Sequence, residues 1–290
     1  MNRPICYLNG EYLPLEEARV SVLDRGFLFG DGVYEVIPVY GGHLFRLEEH
    51  LDRLDRSLEL IHLDNPLDHA AWGALLNELI SRNRSDGDQS VYLQVTRGSA
   101  PKRDHNFPES VTPTLFAMAN PLPSPDFKTL ERGIHAATVE DVRWQYCHIK
   151  AITLLPNVLL KQAAREQGAD EAILIRDGYA TEGSASNIFV VADGRLITPP
   201  KSNLLLPGIT RDLVVELARQ NDIPLLEQNI PETQLRSAEE IWVTSSTREV
   251  MPVVRLDDQP VGSGGAGEWW RRMHAIYSDY KAAVSRGDRH

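Results

Sequence analysis

Cysteine and long apolar runs are scarce in this sequence, and their scarcity excludes several classes of protein. The two cysteines, Cys6 and Cys147, cannot build a disulfide framework and supply too few ligands for a structural zinc site. No stretch reaches the roughly 18 consecutive apolar residues that a membrane-spanning helix needs. The first residues lack the apolar core of a signal peptide. We therefore expect a cytoplasmic protein that carries no structural metal and does not enter the membrane.

Positive charge is also in short supply. The 290 residues include 30 lysines and arginines against 41 aspartates and glutamates, which gives a formal net charge of −11. Because a phosphate backbone is bound by clustered basic side chains, this balance argues against a nucleic-acid partner. Apolar residues make up 42% and charged residues 24%, as in ordinary globular proteins. A chain of this length forms one large domain or two smaller ones.

One proline-rich segment interrupts the chain. Pro121, Pro123 and Pro125 stand at alternate positions, a pattern that excludes helix and sheet interiors and indicates an extended connector. We predict a small N-terminal α+β domain over residues 1–120, a linker over residues 121–127 and a larger C-terminal domain over residues 128–290.

The hydrophobic pattern indicates hairpins mixed with separate helices. Asp177-Gly178 and Asp193-Gly194 are strong hairpin signals between apolar runs. Alternating residues predict strands near residues 33–40, 91–97, 114–118, 135–140, 171–176, 187–192, 195–198 and 240–244. Helical spacing predicts helices near residues 47–61, 72–80 and 155–167, from residue 210 and from residue 268. The mixture predicts an α+β fold rather than a doubly wound parallel sheet.

Lys150 stands out among only six lysines. It lies in an apolar segment, residues 147–155, where desolvation favours the neutral amine that Schiff-base chemistry requires. A half-buried lysine that extends its amine to solvent would produce the same pattern. On this feature alone, the second interpretation is preferred.

Three further segments have the composition of anion or cofactor sites. Residues 204–212 run from a loop into a helix, and the free N–H groups at a helix start can hold a phosphate. Residues 242–248 end a strand in clustered hydroxyls, and residues 181–187 place an acidic residue before small residues. Each segment also has an ordinary interpretation, namely a helix cap, a turn and a surface hairpin connection.

Five segments in a fixed order are far more specific than any one of them. Arg53 with its neighbours, Lys150 and residues 182–187, 208–211 and 244–247 resemble the motifs of fold-type IV (class IV) pyridoxal-phosphate-dependent aminotransferases, over nearly the whole chain. The resemblance implies that the C-terminal domain binds pyridoxal 5'-phosphate and that Lys150 is catalytic and forms a Schiff base with its aldehyde. It implies that Glu182 pairs with the pyridine nitrogen. It also implies that Leu206 packs on the cofactor ring. The residues implied to hold the phosphate are Arg53, Ile209, Thr210, Ser245 and Ser246.

One loop resembles the D-amino acid (D-alanine) aminotransferases in particular. Within residues 95–108, Arg103 and His105 match the arginine and histidine that those enzymes place on the substrate α-carboxylate, with Tyr34 as third partner. A guanidinium, an imidazole and a phenol make a chemically sensible carboxylate site. Lys102 departs from the pattern as an extra residue before Arg103. Without the family context, a charged and solvated hairpin end would be the preferred interpretation.

The resemblance therefore implies a transaminase that moves an amino group between a D-amino acid (D-alanine, D-glutamate) and a 2-oxo acid (pyruvate, 2-oxoglutarate). The expected partners are these small molecules and a second copy of the chain in a homodimer, with no nucleic acid, membrane or metal. Alternatives on the same fold are a branched-chain L-amino acid transaminase, an (R)-amine transaminase and an aminodeoxychorismate lyase. A cofactor-binding protein without turnover is disfavoured because both Lys150 and Glu182 are present.

Overall fold

The computed structural model describes residues 3–85 and 87–288. The chain forms two compact units. The first unit comprises Met1–Ser124, Ile149–Thr153 and Ala283–His290, and the second comprises Pro125–His148 and Leu154–Ala282. Lys150 thus belongs to the first unit through a short returning segment. The domain limits deduced from the proline-rich stretch stay a prediction, and Pro121 itself ends a strand opposite Gln89.

Strands and helices are mixed along the chain. The first unit contains β1 (Ile5–Leu8), β2 (Glu11–Pro14), α1 (Arg25–Phe29), β3 (Gly32–Tyr40), β4 (His43–Leu44), α2 (Leu47–Leu60), α3 (His69–Arg82), β5 (Gln89–Thr96) and β6 (Thr114–Pro121). The elements that follow are α4 (Phe127–Glu131), β7 (Ile134–Glu140), α5 (Leu155–Glu166), β8 (Glu171–Arg176), β9 (Tyr179–Gly183), β10 (Asn187–Ala192), β11 (Arg195–Thr198), α6 (Ile209–Gln220), β12 (Leu225–Glu227), β13 (Ile230–Pro231), α7 (Glu232–Arg236), β14 (Glu240–Ser245), β15 (Glu249–Leu256), β16 (Gln259–Pro260) and α8 (Glu268–Ser285).

An antiparallel sheet organises the first unit. Its described strands follow the order β2-β1-β6-β5-β3-β4, and each neighbouring pair is antiparallel. The apolar stripes of α2 and α3 complete a core with β3 and β5, in which Leu54 and Trp72 are buried against Ile37. The sheet thus supplies a rigid support for the residues of β3 and of the loop between β5 and β6.

A larger mixed sheet organises the second unit. Its described strands follow the order β12-β11-β10-β14-β15-β7-β8-β9-β13, with β16 on β15. Strand β7 is parallel to both β8 and β15, and β11 is parallel to β12. Parallel neighbours need a long connection, and the chain between β7 and β8 contains α5. The predicted α+β fold class is confirmed, although the parallel pairs were not predicted.

Both Asp-Gly turns form hairpins as predicted, but Asp177-Gly178 joins β8 to β9, a strand that was not predicted. Asp177 and Gly178 have φ angles of 52° and 79°, and Asp193 and Gly194 have 51° and 66°. Two consecutive positive φ angles match the twist of a tight hairpin, and Asp and Gly tolerate them best. These turns bring β9 back onto β8 and β11 back onto β10.

Candidate active site

Lys150 lies beside β3 in the first unit. The backbone N–H of Tyr34 donates to the Lys150 carbonyl at 3.0 Å, and the Lys150 N–H donates to Ser57 Oγ of α2 at 3.2 Å. The Lys150 Nζ lies 4.2 Å from the centroid of the Tyr34 ring. The lysine backbone is therefore fixed on two sides, and its amine lies over the tyrosine predicted to bind substrate.

A buried charged network surrounds Glu35, the residue after Tyr34. Arg53 donates from Nε and Nη2 to the two carboxylate oxygens at 2.8 and 2.7 Å, and His50 Nδ1 lies 2.8 Å from one of them. Burial alone would raise the pKa of Glu35, but Arg53 and His50 hold that pKa well below its usual range. Burial lowers the pKa of His50, with help from the charges of Arg53 and Lys150, so the neutral ring donates Nδ1–H to Glu35. The network anchors the Arg53 guanidinium in one orientation.

Arg103 and His105 lie in an exposed loop between β5 and β6. Both contact Phe29, the last residue of α1: the Arg103 guanidinium carbon is 5.0 Å from the ring centroid, and the His105 ring centroid is 5.2 Å away. Lys102 has a side chain 78% exposed and pairs with Asp104 at 3.2 Å. The extra lysine therefore extends into solvent, while the two predicted carboxylate ligands share one aromatic support.

Glu182, in β9 of the second unit, is a buried carboxylate surrounded by donors. Arg143 Nη1 donates to one oxygen, and the other accepts from the Leu206 backbone N–H at 3.0 Å and from Asn187 Nδ2 at 3.2 Å. Burial raises the pKa of Glu182 to about 7, although the charge of Arg143 acts in the opposite direction. A positive charge nearby favours the ionised form of a carboxyl group, so a protonated ring nitrogen would be a suitable partner for Glu182. Leu206 is held at the same place, since its carbonyl accepts from Asn187 at 2.8 Å.

Helix α6 begins where the sequence predicts an anion site. Gly208 precedes its first residues, Ile209 and Thr210, and supplies no side-chain cap. The first N–H groups of a helix have no intrahelical acceptor and therefore favour an anion. A Cβ at Gly208 would lie 2.0 Å from Asn187 Oδ1, so only glycine allows the helix start to approach β10 this closely.

Thr244, which pairs with Asn187 across β10 and β14, carries a hydroxyl without a hydrogen-bond partner among the described residues. Its side chain is buried, and an unsatisfied buried hydroxyl costs about 1–3 kcal/mol. Ser245 ends β14 and accepts from the Arg248 N–H at 3.3 Å, and Ser246 follows in the turn. Hydroxyls of this kind and the N–H groups of α6 are the donors that a phosphate ester requires. The residues present therefore fit a phosphorylated cofactor with a basic ring nitrogen.

The structure brings some predicted site residues together within each unit. Lys150 contacts the Tyr34 ring, and Arg53 forms an ion pair with Glu35, the next residue of β3. No hydrogen bond within the described residues links Tyr34 to Arg103 or His105. In the second unit, Leu206 bonds to Glu182. Ile209 and Thr210 start α6, and Ser245 and Ser246 follow Thr244.

Four residues of these networks were missed from the sequence: Glu35, His50, Arg143 and Asn187. Two of them carried a signal. Glu35 is a charged residue on the apolar face of an alternating strand, and His50 lies one helical turn before Arg53. A buried acid requires a partner, so this pattern indicates an internal ion pair. For Arg143 and Asn187, only the folded arrangement identifies the role.

No group of three or more histidine, cysteine, aspartate or glutamate residues in the described ranges is arranged to hold a metal ion. No helix within those ranges combines the length and the apolar character that crossing a membrane demands.

Comparisons with known proteins show which family the chain resembles. The family described as amino-transferase class IV matches residues 32–256. The D-alanine aminotransferase of Bacillus licheniformis is 43% identical over 260 residues, covering 89% of this chain and 90% of the relative. The D-alanine aminotransferase of Staphylococcus haemolyticus is 40% identical, covering 94% and 96%. Among solved structures, the T.th. branched-chain amino acid aminotransferase with pyridoxamine 5'-phosphate has a TM-score of 0.91 at 27% identity, covering 100% and 96% of the two chains.

Proposed function

Because the chain belongs to the class IV aminotransferase family, we propose that it is a transaminase that takes the amino group of a D-amino acid and gives it to a 2-oxo acid. The expected donors are D-alanine and D-glutamate, and the expected acceptors are pyruvate and 2-oxoglutarate. The observation that carries this choice is the similarity to D-alanine aminotransferases over most of the chain. The family, the fold class and the use of pyridoxal 5'-phosphate, all predicted from the motifs, are confirmed by the comparisons.

Residues of both anion-binding segments and of α2 would hold the cofactor. Arg53, fixed by Glu35, would donate to the phosphate, together with the N–H groups of Ile209 and Thr210. Ser245 and Ser246 would add hydroxyl donors, and Leu206 would pack on the ring. Glu182 would pair with the pyridine nitrogen and keep it protonated. When bound, pyridoxal phosphate supplies an aldehyde that accepts the amino group and a ring that accepts electrons from the substrate carbanion.

Lys150 would hold the cofactor covalently and, once displaced by the substrate amine, take the proton from the substrate Cα. Its backbone bonds to Tyr34 and Ser57 keep the amine on one side of the site. The Cα–H bond must point at this amine for the proton to move. If Tyr34, Arg103 and His105 hold the carboxylate on one side, only one enantiomer can present its hydrogen to Lys150. The carboxylate ligands therefore decide the handedness of the substrate.

A substrate panel tests this proposal. The purified protein, supplied with pyridoxal phosphate, is incubated with D-alanine, D-glutamate, L-leucine or (R)-1-phenylethylamine, each with pyruvate or 2-oxoglutarate as a suitable acceptor, and the new amino acid is quantified by chromatography. We expect fast turnover of the D-amino acids and slow turnover of the other donors. Lys150→Ala serves as the control for contaminating activity. Preference for L-leucine would identify a branched-chain enzyme, and preference for the amine would identify an amine transaminase.

We further propose that the enzyme acts as a homodimer. Each unit exposes large apolar side chains: Val22 and Phe27 are both 70% exposed in the first unit, and Trp144 and Tyr146 are 49% and 57% exposed in the second. Clustered apolar exposure of this kind marks protein interfaces. Light scattering should give about twice the chain mass of 32.5 kDa. A monomer at micromolar concentration would contradict the proposal.

A reducing compartment such as the cytoplasm suits the two thiols. Cys6 and Cys147 are both unpaired and buried. Burial raises the pKa of each thiol, to about 11 for Cys147, so both stay protonated and unreactive.

A further inference from the structure

The loop that carries Arg103 and His105 contains no helix or strand over residues 101–108, yet one buried side chain holds its backbone. Arg25 Nη1 donates to the carbonyl of Asp104 at 2.6 Å and to that of Asn106 at 3.3 Å. Arg25 Nη2 donates to the carbonyl of His105 at 3.4 Å. Three successive carbonyl groups therefore converge on a single guanidinium, which curves the loop around it.

The Arg25 guanidinium is itself held in place. The residue is buried, and its Nε donates to Asp31 Oδ2 at 2.8 Å. Asp31 also accepts hydrogen bonds from Nε and Nη2 of Arg97, at 2.8 and 3.1 Å. On its other side, the Arg25 guanidinium carbon lies 4.9 Å from the centroid of the Phe29 ring. This ring is the same one that Arg103 and His105 contact.

The base of the loop is fixed independently of the Arg25 side chain. The Arg25 backbone N–H donates to the Gly98 carbonyl at 2.9 Å, and a Cβ at Gly98 would lie 2.0 Å from the Thr112 carbonyl oxygen. These backbone contacts do not involve the Arg25 side chain. A change at Arg25 therefore alters the tip of the loop, where the predicted carboxylate ligands stand, more than its ends.

We propose that Arg25 is a positioning residue for substrate recognition: through the Asp104, His105 and Asn106 carbonyls and the Phe29 ring, it sets where Arg103 and His105 meet the α-carboxylate. The inference rests on the proposed function, since it takes these two side chains as carboxylate ligands. Arginine is required because its planar fork presents several donors in fixed directions. A lysine can keep the charge next to Asp31 but cannot bridge three carbonyls.

Arg25→Lys in the full-length enzyme tests the proposal. We expect KM for D-alanine to rise about tenfold or more, with kcat changed less than about twofold, because the displaced loop weakens the charged hydrogen bonds of Arg103 and His105 to the carboxylate and leaves the reacting groups in place. Binding of propionate, a carboxylate with no amino group to react, should weaken by the same factor in calorimetry. The affinity for pyridoxal phosphate, followed by absorption, should stay near the wild-type value, and the melting temperature should fall by only about a few degrees, because the lost hydrogen bonds hold a single exposed loop.

Two further variants calibrate the result. Arg103→Ala removes the guanidinium predicted to bind the carboxylate and sets the size of a complete loss. Arg46→Lys places a lysine at another buried arginine of the first unit, one that pairs with Glu49 at 2.7 Å, and should leave propionate binding unchanged.

The outcomes separate this inference from the proposed function. Unchanged propionate binding in Arg25→Lys would overturn the positioning role, as would equal losses of kcat, cofactor affinity and melting temperature, which indicate general damage to the fold. A wild-type enzyme that does not turn over D-alanine would overturn the proposed function. If its propionate binding were still lost in both Arg25→Lys and Arg103→Ala, the positioning role would stand.

Discussion

Glu35 and Arg53 form a two-point ion pair in the interior of the first unit, with side chains 0% and 4% exposed. Because removing one partner leaves the other charge buried and unpaired, Arg53→Ala should lower the free energy of unfolding by about 3–5 kcal/mol. Urea unfolding followed by circular dichroism measures this change. Cofactor affinity should fall by roughly one to two orders of magnitude, since a hydrogen bond from a charged donor contributes about 1.5–3 kcal/mol.

The double variant Glu35→Gln/Arg53→Met separates these two effects. It leaves no unpaired charge at this position, so much of the stability should return. The phosphate contact is still missing, so cofactor affinity should stay low. Recovery of affinity together with stability would mean that Arg53 acts only through the fold.

Covalent attachment of the cofactor should occur at Lys150 and at no other lysine. Reduction of the loaded protein with borohydride, followed by tryptic peptide mapping, should place the label there, and Lys150→Ala should carry none. Lys161→Ala is the matched control. Burial lowers the pKa of Lys161, although Glu171 opposes this shift, and a lowered pKa favours the neutral amine that Schiff-base formation requires. Label on Lys161 in the wild-type protein would refute the assignment of Lys150.

Glu182 should make the stability of the cofactor-free protein depend on pH. Its pKa of about 7 in the folded protein lies above the ordinary value of 4.5, so folding favours the protonated carboxyl. The stabilisation is complete below pH 4.5 and is lost as the pH rises through about 7. Calorimetry should therefore show the melting temperature of the wild-type protein falling over this window relative to Glu182→Gln. A difference between the two proteins that does not vary with pH would contradict the raised pKa.

The same substitution should slow turnover while leaving the cofactor bound. A glutamine cannot keep the pyridine nitrogen protonated, so proton removal from Cα becomes harder. Deuterium exchange at Cα of D-alanine measures this step directly. An unchanged exchange rate would exclude the role of Glu182 in stabilising the substrate carbanion.

Thr244→Val should weaken cofactor binding without destabilising the cofactor-free protein. The hydroxyl of Thr244 is buried without a partner within the described ranges, so removing it should stabilise the cofactor-free protein or leave it unchanged. Thr198→Val is the matched control, because Thr198 is equally buried but donates to the Ile188 carbonyl at 2.8 Å. This control should lose about 0.5–1.5 kcal/mol of unfolding free energy and keep its cofactor affinity. Equal destabilisation by both substitutions would mean that Thr244 has a partner in the fold.

Local sequence signals predicted the elements that depend on near neighbours. The Asp-Gly turns and the helical spacing of Leu51, Leu54 and Leu58 gave the hairpins and α2 because turn chemistry and periodicity act over a few residues. Strand β15 and its parallel pairing with β7 were missed because such pairing depends on segments far apart in the chain. The ordered motifs identified the family, but they did not predict the residues that hold the site residues in place.

Residues that position other groups through hydrogen bonds were the hardest to predict from the sequence. Arg25 and Arg143 each serve by donating to groups distant in sequence, which no local pattern encodes. Arg103, His105 and the phosphate ligands stay predictions as site residues, with the contacts described above in their support.

The return of Ile149–Thr153 to the first unit has a consequence for how the protein is made. A ribosome releases β3 long before it releases Ala151, which bridges to Val33 of that strand. The first unit therefore stays incomplete until Ile149–Thr153, with Lys150, and then Ala283–His290 have been translated. A nascent chain that stops before Ile149 lacks both of these pieces and the amine predicted to bind the cofactor. Assembly of the first unit thus depends on synthesis of nearly the whole chain.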